Sequence, residues 1–446
     1  MSMLKICWLF LSLSLVWAQA GQAETSVFFE NRTGSSISLQ TLLSGTPLRR
    51  DAYQIKAQMI LPGQTLKVLT VNRDSGIKNG KTYQFTTRIK VGENQNSPLL
   101  NMDFYQMLTG KFIGSQLRHG FFVDGRHQEW GTGHQAKFLG KVMGTTVVRL
   151  RVHDTGRGMH DDVYYTLEAF AAPEARDSLK AISYNVYMRP NILFKNGQYE
   201  RAQLLPETLD GRDILAFQEA FDDDVRGILK MGLTSRYPFQ STVVGTDRVF
   251  EQDGGVFIAS RFPILEEDEF LFGSVCARIF EDCLADKGVK YAKLFDGQRI
   301  IHVFATHLQN GGGGKDVAAR NRQVELINAF MQRKVTGNNN RELVLLMGDY
   351  NIDLKTTPDA FSRYGLKTLL SSDRPYSWDP EYNELAGAGS PQQVDYVYYS
   401  ENYLIPATFE QKVIPLKSKR RWKFLDSLHI FRDLSDHFPI EATMTF

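Results

Sequence analysis

The sequence predicts a layered α/β domain preceded by a smaller all-β, sandwich-like domain, and three observations carry that expectation. At 446 residues and 42% hydrophobic side chains, the chain exceeds what one typical core holds. Its patterning changes between Ala171 and Ser178. Beyond that point nearly continuous apolar runs, which require sheets covered on both faces, are interspersed with a stretch of helical periodicity.

Residues 1–23 have the layout of a secretory signal peptide. Lys5 precedes an apolar run from Ile6 to Trp17, and Ala18-Gln19-Ala20 supplies the small residues a peptidase needs. The run is shorter than the roughly 20 apolar residues that span a bilayer. Cleavage near Ala20 or Ala23 and a secreted, extracellular chain are expected. Cys276 and Cys283 then remain, and two cysteines in an exported chain favour a small-loop disulfide. They are too few for a cysteine-rich zinc site.

Residues 24–172 read as short strands separated by Gly, Asn and Pro: SVFFE, YQIKAQMI, TLKVLTV, TYQFTTRIKV, TVVRLRV and VYYTLEAF. Enrichment in β-branched and aromatic residues with regular turn signals predicts a β-sandwich-like accessory domain. Its histidines, 119, 127, 134, 153 and 160, are scattered and form no constellation. The charged stretch Ala171–Asp177, containing Pro173, reads as the linker to a second domain at 178–446.

In that second domain strands are expected at Ala181–Val186, Ile214–Gln218, Gly255–Ser260, Ile300–Thr306, Leu343–Gly348 and Gln393–Tyr399. A helix is expected over Asp316–Lys334, where Val317, Val324, Ile327 and Met331 recur at helical spacing. Candidate chemical side chains lie at or near the strand ends: Asn185, Glu219, His307, Asp349, Asn351 and Asp395, with Asp436-His437 just before the final apolar run. Asp349 and Asn351 share one side of an extended backbone. An Asp after an apolar strand is equally a common turn residue; the company of the other runs turns the reading toward a site, because strand ends of one sense in an open α/β sheet converge on a common cleft.

Hard divalent ions want carboxylate, phosphate and water oxygens, which Glu219 and its neighbours supply. Imidazole suits proton removal from water near neutral pH, and a carboxylate on its second nitrogen would fix the tautomer. Both features point to metal-assisted phosphodiester hydrolysis, with His437 as base and His307 as a donor to the phosphoryl oxygens. The Gly311–Gly314 run before Lys315 lacks the order of a P-loop and reads as a rim loop.

With 52 Lys and Arg against 50 Asp and Glu, the net charge of +2 gives no whole-chain field directed at a polyanion. The local exception is FEQKVIPLKSKRRWKFLDSLHIF, residues 409–431, where Arg420, Arg421 and Lys423 are interleaved with Trp422 and Phe424. Rings at headgroup depth with cations on phosphates would make this an interfacial hairpin.

These residues resemble the secreted bacterial neutral sphingomyelinases, within the endonuclease/exonuclease/phosphatase superfamily that also holds deoxyribonuclease I. The superfamily resemblance rests on Asn185, Glu219, His307, Asp349, Asn351, Asp395 and Asp436-His437 in order. The narrower one rests on YNVYM at 184–188, DGGVFIASRFPI at 253–264, DKGVKYAKL at 286–294, THLQ at 306–309, SWD at 377–379 and the ending SDHFPIEATM. It implies a deoxyribonuclease I-like α/β sandwich of two packed sheets flanked by helices. It also implies a Mg²⁺-dependent phosphodiesterase, with Mn²⁺ or Co²⁺ as substitutes, that releases ceramide and phosphocholine from sphingomyelin in membrane surfaces and can be haemolytic.

By that resemblance Glu219 would hold the metal with Asn185 nearby, and Asp349 and Asn351 would position water and phosphate. His437 would be the base supported by Asp436, His307 would stabilise the phosphoryl oxygens, and Asp395 would support the network. Trp422 and Phe424, with Arg420 and Arg421, fall where family members carry a membrane-entering hairpin. The accessory domain lies outside the resemblance. Two alternatives stand beside it: a secreted nuclease with the same site, disfavoured because nucleic acid is not expected from the charge distribution, and a toxin-like membrane-binding role for residues 24–172.

Overall fold

The computed structural model describes all residues except 1–22, 92–101, 133–135, 157–160, 191–193, 248–251, 278–281, 338–339, 358–359, 370–374 and 425–428. The signal segment with its Ala20 cleavage point, His134, His160 and Leu425 lie outside the described residues. The chain divides into two compact units: residues 1–134 with 152–166, and residues 135–151 with 167–446.

The first unit is all β. One sheet orders Met59–Ile60, Ile37–Gly45, Thr82–Val91, Met102–Gly110, Ser115–Val123 and Arg126–Gly131 as antiparallel neighbours. Glu24–Arg32 pairs instead with Thr65–Asn72, which pairs with Tyr53–Ile55. The period-two alternation of these strands aims Phe29, Phe85, Phe104 and Phe121 into a common interior, where Phe104 stacks on Phe29 at 5.5 Å and on Tyr165 at 4.2 Å.

The second unit contains two large sheets. The first runs Leu366–Lys367, Asp395–Ser400, Glu342–Asp349, Ile300–His307, Gly288–Phe295 and Ile264–Leu271, and on to Lys137–Met143. The second runs Phe239–Gln240, Phe257–Ser260, Ile214–Ala220, Ser178–Met188, Ile440–Thr445 and Thr408–Val413. Alternate residues of both sheets meet in one buried core that includes Ile301, Val303, Leu343, Leu345, Met347, Ala181, Ile214, Ala216 and Ile440.

The intervening residues point outward and are covered. Phe304, Val344 and Leu346 pack under the Gly314–Lys334 helix through Val324, Ile327, Phe330 and Met331. On the other side Ile182, Tyr184, Leu215 and Phe217 pack with Val225, Leu229 and Leu233 of the Asp223–Leu233 helix. This α/β/β/α layering is the physical reason for the continuous apolar runs, since neither face of either sheet meets water. Val317, expected on the buried stripe of the long helix, is exposed; Arg320, Gln323 and Phe330 take buried positions on that face instead.

Residues 135–151 group with the second unit although their composition matches the region before it: Leu139 is the register partner of Glu266. The Gly311–Gly314 run leads into the long helix as a fastened turn. Asp316 accepts from the Gly313 amide at 3.0 Å, and Arg320 donates to the carbonyls of Gln309 and Gly311.

Candidate active site

Register brings the polar strand ends together. His307 and Asp349 are partners across parallel strands, and Asp349 and Asp395 are partners across antiparallel ones, so neighbouring strand ends of the first sheet present three side chains in a row. The second sheet contributes Asn185, opposite Gln218 on the strand that carries Glu219. The loop before Ile440–Thr445 supplies Asp436 and His437.

Asn185 joins the two sheets. Its side-chain amide donates to Glu219 Oε1 and to Asp349 Oδ2, both at 3.0 Å, and its oxygen accepts from the Tyr187 amide at 3.1 Å. The Asn351 amide donates to Asp349 Oδ1 at 3.0 Å, while its side chain donates to the Leu308 carbonyl at 3.2 Å. Tyr187, Glu219 and Asn351 all adopt left-handed backbone with φ near 50°, and Asp124 is the one other non-glycine residue that does so among the described residues. Such conformations cost about 1 to 3 kcal/mol each and persist where the surroundings over-determine them. Here they turn the chain sharply at strand ends so that side chains face the cleft.

The two histidines are electrostatically opposite. His307 is buried, and burial together with the nearby Lys287 ammonium pushes its imidazole down to about 3, so it is neutral. Its Nε2 lies 3.6 Å from Asp349 and 3.9 Å from Glu219, and its Nδ1 has no partner. Burial also disfavours a charged His437, but the carboxylates of Asp395, Asp349 and Asp436 outweigh it and hold the imidazole well above its ordinary range. His437 Nδ1 lies 2.8 Å from Asp395 Oδ2, and Nε2 points back toward Asp349 at 3.9 Å.

Asp436 therefore does not hold the ring of His437 as expected from adjacency; Asp395 does. Residues 434–437 form a bend, and the Asp436 carboxylate lies 3.3 Å from Ser435 Oγ. Burial, and then the Asp436 charge, raise the Glu219 carboxyl to about 7. Asp436 is itself raised by burial.

This donor set fits a divalent cation. Glu219, His307 and Asp349 can each offer a ligand atom, all within 4.8 Å of one another, and the same holds for Asp349, Asp395 and His437. Four carboxylates share the site, and a hard cation relieves both the burial and the mutual repulsion that raise Glu219. A third group, Asp223, Asp247 and Asp253, is engaged by the Arg226 guanidinium, which contacts Asp223 and reaches Asp253 at 2.9 Å.

Several supporting residues carry no signal in a motif-based reading. Ser435 Oγ donates to the Asn185 carbonyl at 2.6 Å, fastening the His437 loop to the second sheet. Arg201, fully buried, donates to the carbonyls of Val186, Tyr187 and Leu434. Cys276 and Cys283 are joined as expected, and Asp282 beside them accepts from Lys287 at 2.6 Å, Gln309 at 2.5 Å and the Asn310 amide at 2.9 Å. Lys287 also donates to the Leu308 carbonyl at 2.9 Å, so the disulfide loop braces the chain next to His307. A buried lysine at the head of an apolar strand was the available signal for this brace.

The aromatic-basic segment departs from expectation. Trp422 is 6% exposed, donates Nε1–H to the Asp433 carbonyl at 3.0 Å and stacks on Phe431 at 5.0 Å. Its ring also fills the space over Gly197, where any Cβ would lie 2.3 Å from it. It is a core residue and does not reach a membrane surface. Phe424 is half-buried and stacks on Phe431 at 5.7 Å. Lys417 pairs with Asp433 at 2.6 Å, whereas Lys419, Arg420, Arg421 and Lys423 are exposed.

Residues 182–437 match the model of the endonuclease/exonuclease/phosphatase family. A phospholipase C of Staphylococcus aureus is 30% identical over 292 residues, which span 59% of this chain and 86% of that protein. A sphingomyelinase C of Bacillus cereus is 31% identical over 312 residues, spanning 62% of this chain and 92% of that protein. The crystal structure of sphingomyelinase C from Streptomyces griseocarneus superposes with a TM-score of 0.54 at 29% identity, covering 60% of this chain and 99% of that one. The family match begins inside the Ser178–Met188 strand and contains every residue of the cleft described above, so the chain belongs to the endonuclease/exonuclease/phosphatase family and, within it, to the bacterial sphingomyelinase C group.

Proposed function

We propose that the chain is a Mg²⁺-dependent sphingomyelinase C that hydrolyses sphingomyelin to ceramide and phosphocholine. The observation that carries the reading is the pair of opposed histidines around a carboxylate cluster: a neutral His307 and an Asp395-bound His437 on either side of Asp349. Similarity to the phospholipase C and sphingomyelinase C relatives supports the substrate class.

Glu219, steadied by Asn185 and with Asp349 within reach, would hold the cation. When bound, the cation supplies positive charge against the phosphodiester and lowers the basicity of its surroundings. The chain does the rest. Asp395 accepts from Nδ1 of His437, and once a bound cation offset the carboxylates that keep the ring charged, Nε2 would lose its proton and become the acceptor facing the cleft. A water oxygen attacks phosphorus in line, its proton passes to Nε2, and the phosphorus–oxygen bond to ceramide breaks as the new bond forms, the departing ceramide oxygen taking a proton from solvent water. His307 and Asn351 present polar atoms to the phosphoryl oxygens, where charge grows.

The disulfide and the likeness to these bacterial enzymes support an extracellular site of action. Cleavage of the leader near Ala20 or Ala23 is checked by amino-terminal sequencing of protein recovered from culture medium. The exposed Arg420, Arg421 and half-buried Phe424 remain the proposed membrane-facing part of their hairpin. Phosphocholine release from sphingomyelin liposomes, with and without EDTA, tests the activity. No metal-dependent release would overturn it, and faster nicking of plasmid DNA would assign the same site to a nuclease.

A further inference from the structure

In the first compact unit, the hairpin of Met102–Gly110 and Ser115–Val123 ends in the turn Lys111-Phe112-Ile113-Gly114. Phe112 is 91% and Ile113 85% exposed, the two most exposed large hydrophobic side chains among the described residues. Both sit at the hairpin turn and contribute nothing to a core. Contiguous exposed apolar side chains mark interaction sites more than single ones do.

The base beneath them is firmly built. Lys111 donates its amide to the Gly114 carbonyl at 3.0 Å, with Gly114 in left-handed backbone at φ 71°. The loop Lys78–Lys81 lies against Gly110: a Cβ at that position would stand 2.1 Å from the Lys78 carbonyl oxygen, so only glycine allows the approach. Backbone bonds from Gly80 to Gly110 at 3.0 Å and from Gly110 to Lys81 at 2.9 Å hold it there. Below, the largely buried Arg73–Asp161 ion pair is tied to the hairpin by Arg73 Nε donating to Ser115 Oγ at 2.9 Å. Lys78, Lys81 and Lys111 are all exposed around this base.

We propose that this hairpin is a membrane-insertion finger of the accessory unit, with Phe112 and Ile113 entering the headgroup–acyl boundary and the three lysines meeting lipid phosphates. The order of the chemistry selects a bilayer as the occupant. Apolar side chains lie outermost and cations one step behind them, matching hydrocarbon beneath a phosphate layer. A fixed turn adds little ordering entropy on insertion. The finger deepens the proposed function by assigning a second lipid-contacting element, and it stands on geometry separate from the catalytic cleft.

The test uses the full-length protein in EDTA, so that binding is read without turnover. Sedimentation with phosphatidylcholine vesicles should show Phe112→Ser/Ile113→Ser partitioning about tenfold or more weaker than the parent chain, given what burying two such side chains contributes. Lys111→Glu should lose about fivefold or more, and only on vesicles containing phosphatidylserine, with the difference fading in salt. A Phe112→Trp variant should add a blue-shifted emission that brominated acyl chains quench. Undiminished partition of the double variant together with an unquenched Phe112→Trp would overturn the proposal and favour a protein partner for the apex. Hydrolysis of a soluble phosphocholine ester in Mg²⁺ should be unchanged in all three variants; its absence from the parent chain as well would sink the enzymatic reading while leaving the vesicle result intact.

Discussion

His437 Nδ1 lies 2.8 Å from Asp395, a residue on the first sheet, although Asp436 adjoins it in the chain. The partner of the base is set by sheet register: Asp395 is opposite Asp349, which is opposite His307. The two carboxylates near His437 therefore have different tasks. Asp395 orients the ring, and Asp436 acts on the charge of Glu219.

Separate substitutions should separate those tasks. Asp395→Asn should lower kcat by about 10²- to 10⁴-fold, the range a positioned general base contributes, because the wrong tautomer leaves Nε2 without a lone pair for the water proton. Asp436→Asn should instead shift the pH at which Mg²⁺ activates. Steady-state kcat and Mg²⁺ activation curves for both variants decide this, and equal losses of kcat with unmoved activation would contradict the assignment.

The Glu219 carboxyl at about 7 makes metal binding and folding pH-dependent. Below that pH the metal-free site holds a proton that a cation must displace, so apparent Mg²⁺ affinity should fall by about tenfold per pH unit at most. Calorimetry at pH 6 in buffers of different ionisation enthalpy should record proton release; an affinity flat between pH 5 and 8 would refute the linkage. The stability sign follows from the same raised value. The folded chain binds this proton more tightly than the unfolded one, whose carboxyl titrates near 4.5, so the contribution is fully present below 4.5 and lost as pH rises through about 7. Melting of the metal-free protein should reflect that loss, and Mg²⁺ should offset it.

The strand ends were readable in the sequence because the layering leaves a direct trace. Continuous runs such as LVLLMGDYN pass between two covered faces and stop where the chain becomes polar, which located Asp349, Asn351 and His307. The Asp395–His437 pairing was not readable, since it spans 42 positions and depends on which strands lie side by side. The same non-locality hid the place of residues 135–151, whose strand pairs at Leu139 with Glu266. The burial of Trp422 was not readable from its cationic neighbours, because its partners are Phe431 and the Asp433 carbonyl on the next strand and Gly197 far off in the chain.

Reduction of Cys276–Cys283 should loosen the brace at Asp282 without unfolding the second unit, since closing so short a loop constrains the unfolded chain by only about 2 to 3 kcal/mol. Hydrogen exchange on the reduced protein should show faster amides at Leu308–Asn310 and unchanged protection in the Glu342–Asp349 strand. Global loss of protection would mean that the bond holds far more than this loop.

Trp422 and its basic neighbours should respond to different assays. Truncating a buried Trp costs about 3 to 5 kcal/mol, and here the loss includes the Nε1–H bond to Asp433, the stack on Phe431 and the filled space over Gly197. Trp422→Ala should therefore lower the melting temperature and reduce activity on soluble and bilayer substrates alike, and Gly197→Ala should destabilise through the same contact. Arg420→Glu with Arg421→Glu should leave melting nearly unchanged, because both side chains are exposed. Their effect should be confined to liposomes containing anionic lipid and should shrink as salt shortens the reach of the charges. A Trp422→Ala protein that melts normally yet fails only on bilayers would return the ring to the membrane surface and displace it from the core.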